Sequence, residues 1–466
     1  MTYEEAVRYL LTLGRELASP SHARATKFDL RNITVLAERL GNPHRTFPSV
    51  HVAGTNGKGS TAAMLESILR AAGLGTGLFT SPHLERINER IRLDGEDFPD
   101  AEFAETFTRI HACIEELLAA GPEAGLAAHP TYFECLTAMA FDCFARRAPQ
   151  QLDFAVFEVG MGGRLDATNL LLPEVAVITQ IDFDHEDYLG HSIEQIAAEK
   201  AGIIKPGGWV VSAAERPEAR AIIARRAAEL DARLVDVDAA YRIEDLQSQD
   251  GCYRAAVAAA HSAKRIELVL PLPGRFQVRN ALAALAAARL LAERGFPIDD
   301  AAIARGIATV RWPGRLERLQ DRPAVFLDGT HNTAGARELL AFWEEHLPGR
   351  RIHLVYGAMR DKAVDEITGL LFPRATTVVL TQPRQSRAIS ADVLATMTRH
   401  LAARSEVVPE PGEALERALE IAAPDDAVFA TGSLYLVGDL RRFWATSRYE
   451  ARRKVAGLEA AYRSLP

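Results

Sequence analysis

The sequence predicts an α/β protein in two parts: an N-terminal domain on a mostly parallel sheet with helices on both faces, and a smaller C-terminal α/β domain. Three observations carry this. Apolar β-rich runs alternate with helical periods nearly throughout, the rhythm of strands joined by crossover helices. A glycine-rich turn links the first strong strand to the first strong helix. The alternation then starts afresh after Trp312-Pro313-Gly314.

The first strand is Val50-His51-Val52-Ala53. The helix after its turn carries Met64, Leu65, Ile68, Leu69 and Ala72 on one face and ends at Gly73. Strands follow at Phe154–Val159 and Val175–Gln180. The next helix has Ser192 as N-cap and Gln195 three residues on, a predicted capping box. Residues 231–273 break the rhythm and read as short strands turning at Asp250-Gly251, a side ribbon on the main sheet. An alanine-rich helix runs from Gln277 to Arg294. Later strands are Ala324–Leu327, Ile352–Tyr356, Thr377–Thr381 and Ala427–Ala430. The predicted domains are 1–315 and 316–466, divided by the break between 312 and 322.

The 466 residues suffice for cores that need no staples, and the 25% charged and 48% hydrophobic composition is that of a globular enzyme. A net charge of −8 argues against a nucleic-acid coat or a membrane-surface protein. Four cysteines without a CxxC pair give neither a disulfide framework nor a zinc site, and read as small buried hydrophobes. The start is acidic where a signal peptide is basic, and Arg289 interrupts the most apolar stretch, Ala281 to Ala292. The expectation is a cytoplasmic monomer with no nucleic-acid or membrane partner.

The turn reads Gly54-Thr55-Asn56-Gly57-Lys58-Gly59-Ser60. Glycines let backbone amides face phosphate oxygens, and a helix N-terminus adds its positive dipole end. Lys58 can reach the β/γ phosphates, and Ser60 a phosphate oxygen or a metal. The pattern G-x-x-G-K-G-S is a P-loop variant rather than the strict form. Glu158 ends an apolar strand and opens a glycine loop, Gly160 to Asn169, where a carboxylate suits a hard cation. Alone, Ser81 in Thr80-Ser81-Pro82-His83 reads as a turn residue, and Thr131-Tyr132-Phe133-Glu134 as a helix start with core aromatics. His185 follows a strand end in an acidic loop, and Lys200 closes the capped helix. Asn280 opens the alanine-rich helix with the paired donor and acceptor that an adenine edge uses. Arg315 follows the Pro-Gly break, and Asp328 ends the first strand of the second, Rossmann-like domain, where a ribose-binding carboxylate sits.

The phosphate loop resembles that of the Mur ligase superfamily, and its surroundings resemble the folate branch, the folylpolyglutamate and dihydrofolate synthases. The resemblance covers nearly the whole chain. It implies ATP and Mg²⁺, with Gly57, Lys58, Gly59, Ser60, Asn280, Arg315 and Asp328 on the nucleotide. It makes Ser81, Glu158 and His185 magnesium ligands, and turns Lys200 into a carbamate that organises the metal region. It assigns His331 to the γ-phosphate region, so that Lys58, Lys200 and His331 serve the chemistry. It places Arg164 and Asp166 on the pterin substrate, and lines the pteroate pocket with Thr131, Tyr132, Phe133 and Glu134. Lys27, Phe28 and Asp29 approach pteroate, and Ser433 and Tyr435 lie near glutamate. Ser81-Pro82-His83 and Gly162-Gly163-Arg164-Leu165-Asp166-Ala167-Thr168-Asn169 resemble the bifunctional members.

The implied reaction is ATP-dependent ligation of L-glutamate to dihydropteroate and to reduced folates through an acyl phosphate. Glutamate addition to folates alone and a peptidoglycan-precursor ligase are the nearer rivals. A non-catalytic ATP switch is the rival from another class, but has no reason to keep Glu158, His185, Lys200 and His331 together.

Overall fold

The computed structural model describes residues 1–13, 29–126, 128–260, 264–402 and 404–447. The chain forms two compact units. The first takes Met1–His83 and Ile87–Trp312; the second takes Leu84–Arg86 and the chain from Pro313 onward.

The first unit holds an eight-stranded sheet in the order β4-β3-β2-β5-β1-β6-β7-β8. Its strands are β1 (Ser49–Ala53), β2 (Thr76–Phe79), β3 (Ile91–Leu93), β4 (Glu96–Asp97), β5 (Phe154–Glu158), β6 (Val175–Ile178), β7 (Trp209–Ser212) and β8 (Arg233–Asp236). All neighbours pair in parallel except at one edge, where β3 joins β2 and β4 joins β3 antiparallel. Strand β1 lies between β5 and β6, with Val52 opposite both Glu158 and Val177. The two-residue pleat sorts its side chains. Val50 and Val52 enter the core under helices Lys58–Ala71 and Phe276–Glu293. Ala53 faces the other way, toward helices Ile193–Ala201 and Pro217–Glu229.

The side ribbon differs from expectation. Residues Arg233–Asp236 form the parallel edge strand β8, paired with β7. The ribbon proper is a separate antiparallel sheet of β9 (Tyr241–Gln249), β10 (Cys252–Ala259) and β11 (Arg265–Leu270), in the order β11-β10-β9. Its turn at Asp250-Gly251 has both residues left-handed, φ +53° and +82°, as a tight hairpin requires. Ile266, Leu268 and Leu270 point into the core beneath. Leu234-Val235 is too short an apolar run to declare a separate strand by period.

The second unit carries a six-stranded sheet, β12-β13-β17-β14-β15-β16. It comprises β12 (Glu317–Asp321), β13 (Ala324–Leu327), β14 (Ile352–Tyr356), β15 (Thr377–Leu380), β16 (Ser405–Val407) and β17 (Ala427–Thr431). Only β12 runs antiparallel. The two edge strands were not anticipated, because β12 is polar and β16 has three residues.

The capping box at Ser192 is half formed. Ser192 Oγ accepts from Gln195 N, but the Gln195 side chain reaches past the cap to accept from His191 N at 2.8 Å. Cys135 and Cys143 are buried, whereas Cys113 and Cys252 are only partly so. No helix among the described residues is long and apolar enough to cross a membrane.

Candidate active site

The turn after β1 is stitched to the end of β6. Thr55 N donates to Gln180 O at 2.7 Å, and the Thr55 hydroxyl donates to Asp182 O at 2.9 Å. Thr179 Oγ1 donates to Asn56 O at 2.7 Å, and a Cβ on Gly54 would collide with that hydroxyl. Gly57 is the left-handed N-cap (φ +86°) of helix Lys58–Ala71, which has no side-chain cap there. This is the kind of helix start whose first-turn amides can take a phosphate-sized anion. A Cβ on Gly57 would strike Asn280 Oδ1. Asn280 Nδ2 donates to Gln277 Oε1 at 2.8 Å, and Gln277 Nε2 reaches Ser60 Oγ at 3.3 Å. Gly57, Ser60 and Asn280 thus meet at one point, with the Trp312 ring against Gly59. Lys58 Nζ is held to Thr55 O at 3.1 Å.

Gly57→Ala should displace Asn280 and strain the cap, at a cost of about 1–3 kcal/mol. ADP affinity, measured by calorimetry, should fall while the melting cooperativity is kept. Unchanged affinity would show that Asn280 and the cap do not shape the nucleotide site.

Glu158 ends β5 beside β1, is 4% exposed, and accepts from Ser81 N at 3.1 Å. Asp184 Oδ1 accepts from His185 N at 2.9 Å and lies 3.8 Å from His185 Nε2; His185 is left-handed (φ +51°). Lys200 is 3% exposed and donates to Gly54 O at 2.7 Å, which brings it to the phosphate loop. Burial and then the charge of Lys58 push its pKa down to about 7, against the pull of Asp184 and Asp166. Two glycine contacts set this lysine in place. A Cβ on Gly163 would meet the carbonyls of Glu199 and Lys200, and one on Gly202 would meet Arg164.

Among the described residues no three His, Cys, Asp or Glu side chains form a ready-made metal cage. The Glu158 carboxylate, with Ser81 beside it, nonetheless fits Mg²⁺. That ion takes one or two carboxylates and completes its shell with waters and phosphate oxygens.

The Asp166 carboxylate accepts from Met161 N at 2.9 Å, from Thr168 N at 3.0 Å and from the Thr168 hydroxyl. Burial raises its pKa against these hydrogen bonds. Arg164 pairs with Glu199 Oε1 through Nη2 at 2.8 Å and through Nε at 3.1 Å. Thr131 and Glu134 form a true capping box with each other. The Phe133 ring packs on the Gly160 backbone beside Phe79, and Tyr132 lies under the Arg90 guanidinium. Asp29 accepts from Arg31 N at 2.9 Å; Lys27 and Phe28 lie outside the described residues. Sequence reasoning missed Arg90, fully buried, which donates to His83 Nδ1 at 2.9 Å and so ties the Ser-Pro-His turn to the Thr131–Glu134 helix start. It also missed Thr168 and Trp312 as site-shaping residues. A histidine inside an apolar strand, His51, was the one local signal available.

In the second unit, Asp328 accepts from Leu316 N at 2.9 Å and Thr330 N at 3.0 Å, fixing the segment around Arg315. The Arg315 guanidinium lies against the Gly329 backbone, where a Cβ would clash. His331 Nδ1 bonds Gly329 O at 2.7 Å. Gly432 N donates to Thr330 O at 3.0 Å, joining the loops after β13 and β17. Ser433 is buried there, with its Oγ accepting from Tyr435 N at 3.2 Å.

Residues 104–288 match the Mur ligase middle domain, and residues 314–434 match the Mur ligase glutamate ligase domain. A dihydrofolate synthase/folylpolyglutamate synthase of Bacillus subtilis is 34% identical, over 93% of this chain and 99% of its own. The chain belongs to the folylpolyglutamate synthase family of Mur ligases. The Mycobacterium tuberculosis folylpolyglutamate synthase of the family, solved with ADP and AMPPCP, superposes with a TM-score of 0.83 at 34% identity, covering 94% of this chain and 99% of that one. The Escherichia coli member solved with DHPP and ADP gives 0.80 at 30% identity, covering 96% and 98%. The chain spans about half the length, 51%, of a Haloferax volcanii relative described as a probable bifunctional folylpolyglutamate synthase/dihydropteroate synthase, at 34% identity over 95% of this chain.

Proposed function

We propose that this member of the folylpolyglutamate synthase family is an ATP-dependent ligase that joins L-glutamate to dihydropteroate, forming dihydrofolate, and extends reduced folates already bearing glutamate. The near end-to-end match to the Bacillus subtilis dihydrofolate synthase/folylpolyglutamate synthase carries this reading. The Escherichia coli relative solved with DHPP and ADP supports the dihydropteroate acceptor and the nucleotide.

The γ-phosphoryl group of ATP passes to a substrate carboxylate oxygen to give an acyl phosphate, and the bridging P–O bond breaks so that ADP is the leaving group. The glutamate amine attacks the acyl carbon, loses a proton, and phosphate departs. Lys58 and the first-turn amides hold phosphate charge, so positioning and electrostatics supply the catalysis. Mg²⁺, when bound by Glu158, Ser81, His185 and carbamylated Lys200, would neutralise further phosphate charge. Asn280 takes the adenine side in the first unit. In the second unit, Arg315, Asp328 and His331 serve ribose and phosphate, while Ser433 and Tyr435 serve glutamate. The first unit, ending at Trp312, carries the phosphate loop and the pteroate residues, and the second, from Pro313, carries the glutamate site and part of the ATP site. The protein works as a cytoplasmic monomer.

ADP release with glutamate, measured side by side on dihydropteroate and tetrahydrofolate, tests the reading. Turnover of a UDP-linked muropeptide in place of both would overturn it. Asp166→Ala should lower kcat/KM for dihydropteroate by about 10–100-fold, the scale of lost hydrogen bonds to a buried charge. Tetrahydrofolate should suffer less. Equal loss on both acceptors would remove the pterin-specific role from Asp166.

A further inference from the structure

We infer that His51 is a positioning residue for the pteroate acceptor: acting through Thr168, it fixes the orientation of the Asp166 carboxylate. The inference rests on the proposed pteroate role of Asp166 and assigns the part of this machinery that lies out of the substrate's reach.

His51 sits in the middle of β1, between Phe157 of β5 and Ala176 of β6, and is fully buried. An imidazole in an apolar parallel strand is costly unless its polar atoms are used. Its Nε2 lies 2.8 Å from Thr168 Oγ1, a buried contact spanning 117 residues of sequence. The Thr168 hydroxyl in turn donates to Asp166 Oδ1. A hydroxyl carries one proton. The carboxylate takes that proton, so Thr168 must accept from His51, and Nε2 is the protonated nitrogen. Nδ1 is then a bare lone pair, and it has no hydrogen-bond partner. A second N–H there would be buried without an acceptor. Burial, and next the charge of Lys205, push the pKa of His51 down to about 3, so the ring remains a neutral one-proton donor.

The chain His51 → Thr168 → Asp166 therefore has one direction. Without the Nε2 proton the buried Thr168 oxygen loses the donor that anchors it, and the hydroxyl is no longer held in one place against the carboxylate. Asp166 then keeps its backbone partners, the amides of Met161 and Thr168 among them. A histidine that merely filled the core would not have its proton spoken for in this way.

The test uses steady-state kinetics on the full chain with ATP, glutamate and dihydropteroate, for His51→Leu, Thr168→Val and the double variant. Each single change should raise KM for dihydropteroate about tenfold, with KM for ATP held within about twofold. The double variant should be no worse than the worse single, since both cut the same chain. His51→Gln, whose amide nitrogen approaches the Nε2 position, and Thr168→Ser should recover most of the loss. An unchanged dihydropteroate KM in His51→Leu, a parallel rise for all three substrates, or multiplying effects in the double variant would each overturn the inference. If His51→Leu fails to fold, Thr168→Val against Thr168→Ser decides, and equal KM values overturn it. A wild type inert toward dihydropteroate overturns the ligase reading as well, whereas an active wild type with an indifferent His51 overturns this inference alone.

Discussion

Lys58→Ala should lower ATP turnover by roughly 10³-fold or more while leaving the melting temperature nearly unchanged. Phosphoryl transfer relies on charges placed where the transferred group passes, and removing one such charge costs on the order of 10²–10³ or above. Lys58 is the cation of the loop, and its ammonium donates to the carbonyl of Thr55, three residues back, at 3.1 Å. A second effect follows from its neighbour. The charge of Lys58 helps depress the pKa of Lys200, so its loss should move that pKa up from about 7. ADP release by the purified variant is the measurement, and near-normal turnover would take Lys58 out of the mechanism.

Lys200→Arg should be almost inactive, by two or more orders of magnitude, although it conserves charge. In the proposed carbamate the neutral amine forms an N–C bond to CO₂ and loses a proton, leaving an anion; a guanidinium cannot do this. An exposed lysine with a pKa of about 10.4 is nearly all ammonium at pH 7. Buried Lys200, brought down to about 7, is about half neutral there and mostly neutral at pH 8. Bicarbonate should therefore activate wild type more above pH 7 than at pH 6. Lys200→Ala should be equally inactive, and partly rescued by small carboxylic acids that fill the space. If the lysine only complements the helix dipole, Lys200→Arg works almost normally, and that single result would sink the carbamate while leaving the ligase standing.

The fold was legible wherever one segment carried its own pattern. The strand, loop and helix around Gly54 to Ser60 announce themselves because β-rich apolar residues, glycines and a helical period follow one another directly. Strand β8 and the edge strands β12 and β16 were not legible, since a four-residue or polar edge strand has no period to read. The residue types of the site could be read, but their arrangement could not. That Lys200 reaches Gly54 O, 146 residues away, or that His51 reaches Thr168, depends on which strands become neighbours. Local rules also hid some roles. Thr131 and Glu134 read as a helix start beside a pocket, yet each spends its side chain on the other's backbone.

The place of β1 between β5 and β6 bears on how the chain is made. Its first partner, β5, lies roughly 100 residues downstream, and β6 further still. At about 5–20 residues per second, a ribosome exposes β1 with both edges unpaired for roughly 5–20 s before either partner emerges. Val50 and Val52, destined for the interior, are then bare on a strand ready to pair with any other. Chaperone dependence during synthesis, and aggregation of nascent chains halted before residue 154, should therefore centre on the strand that leads into the phosphate loop.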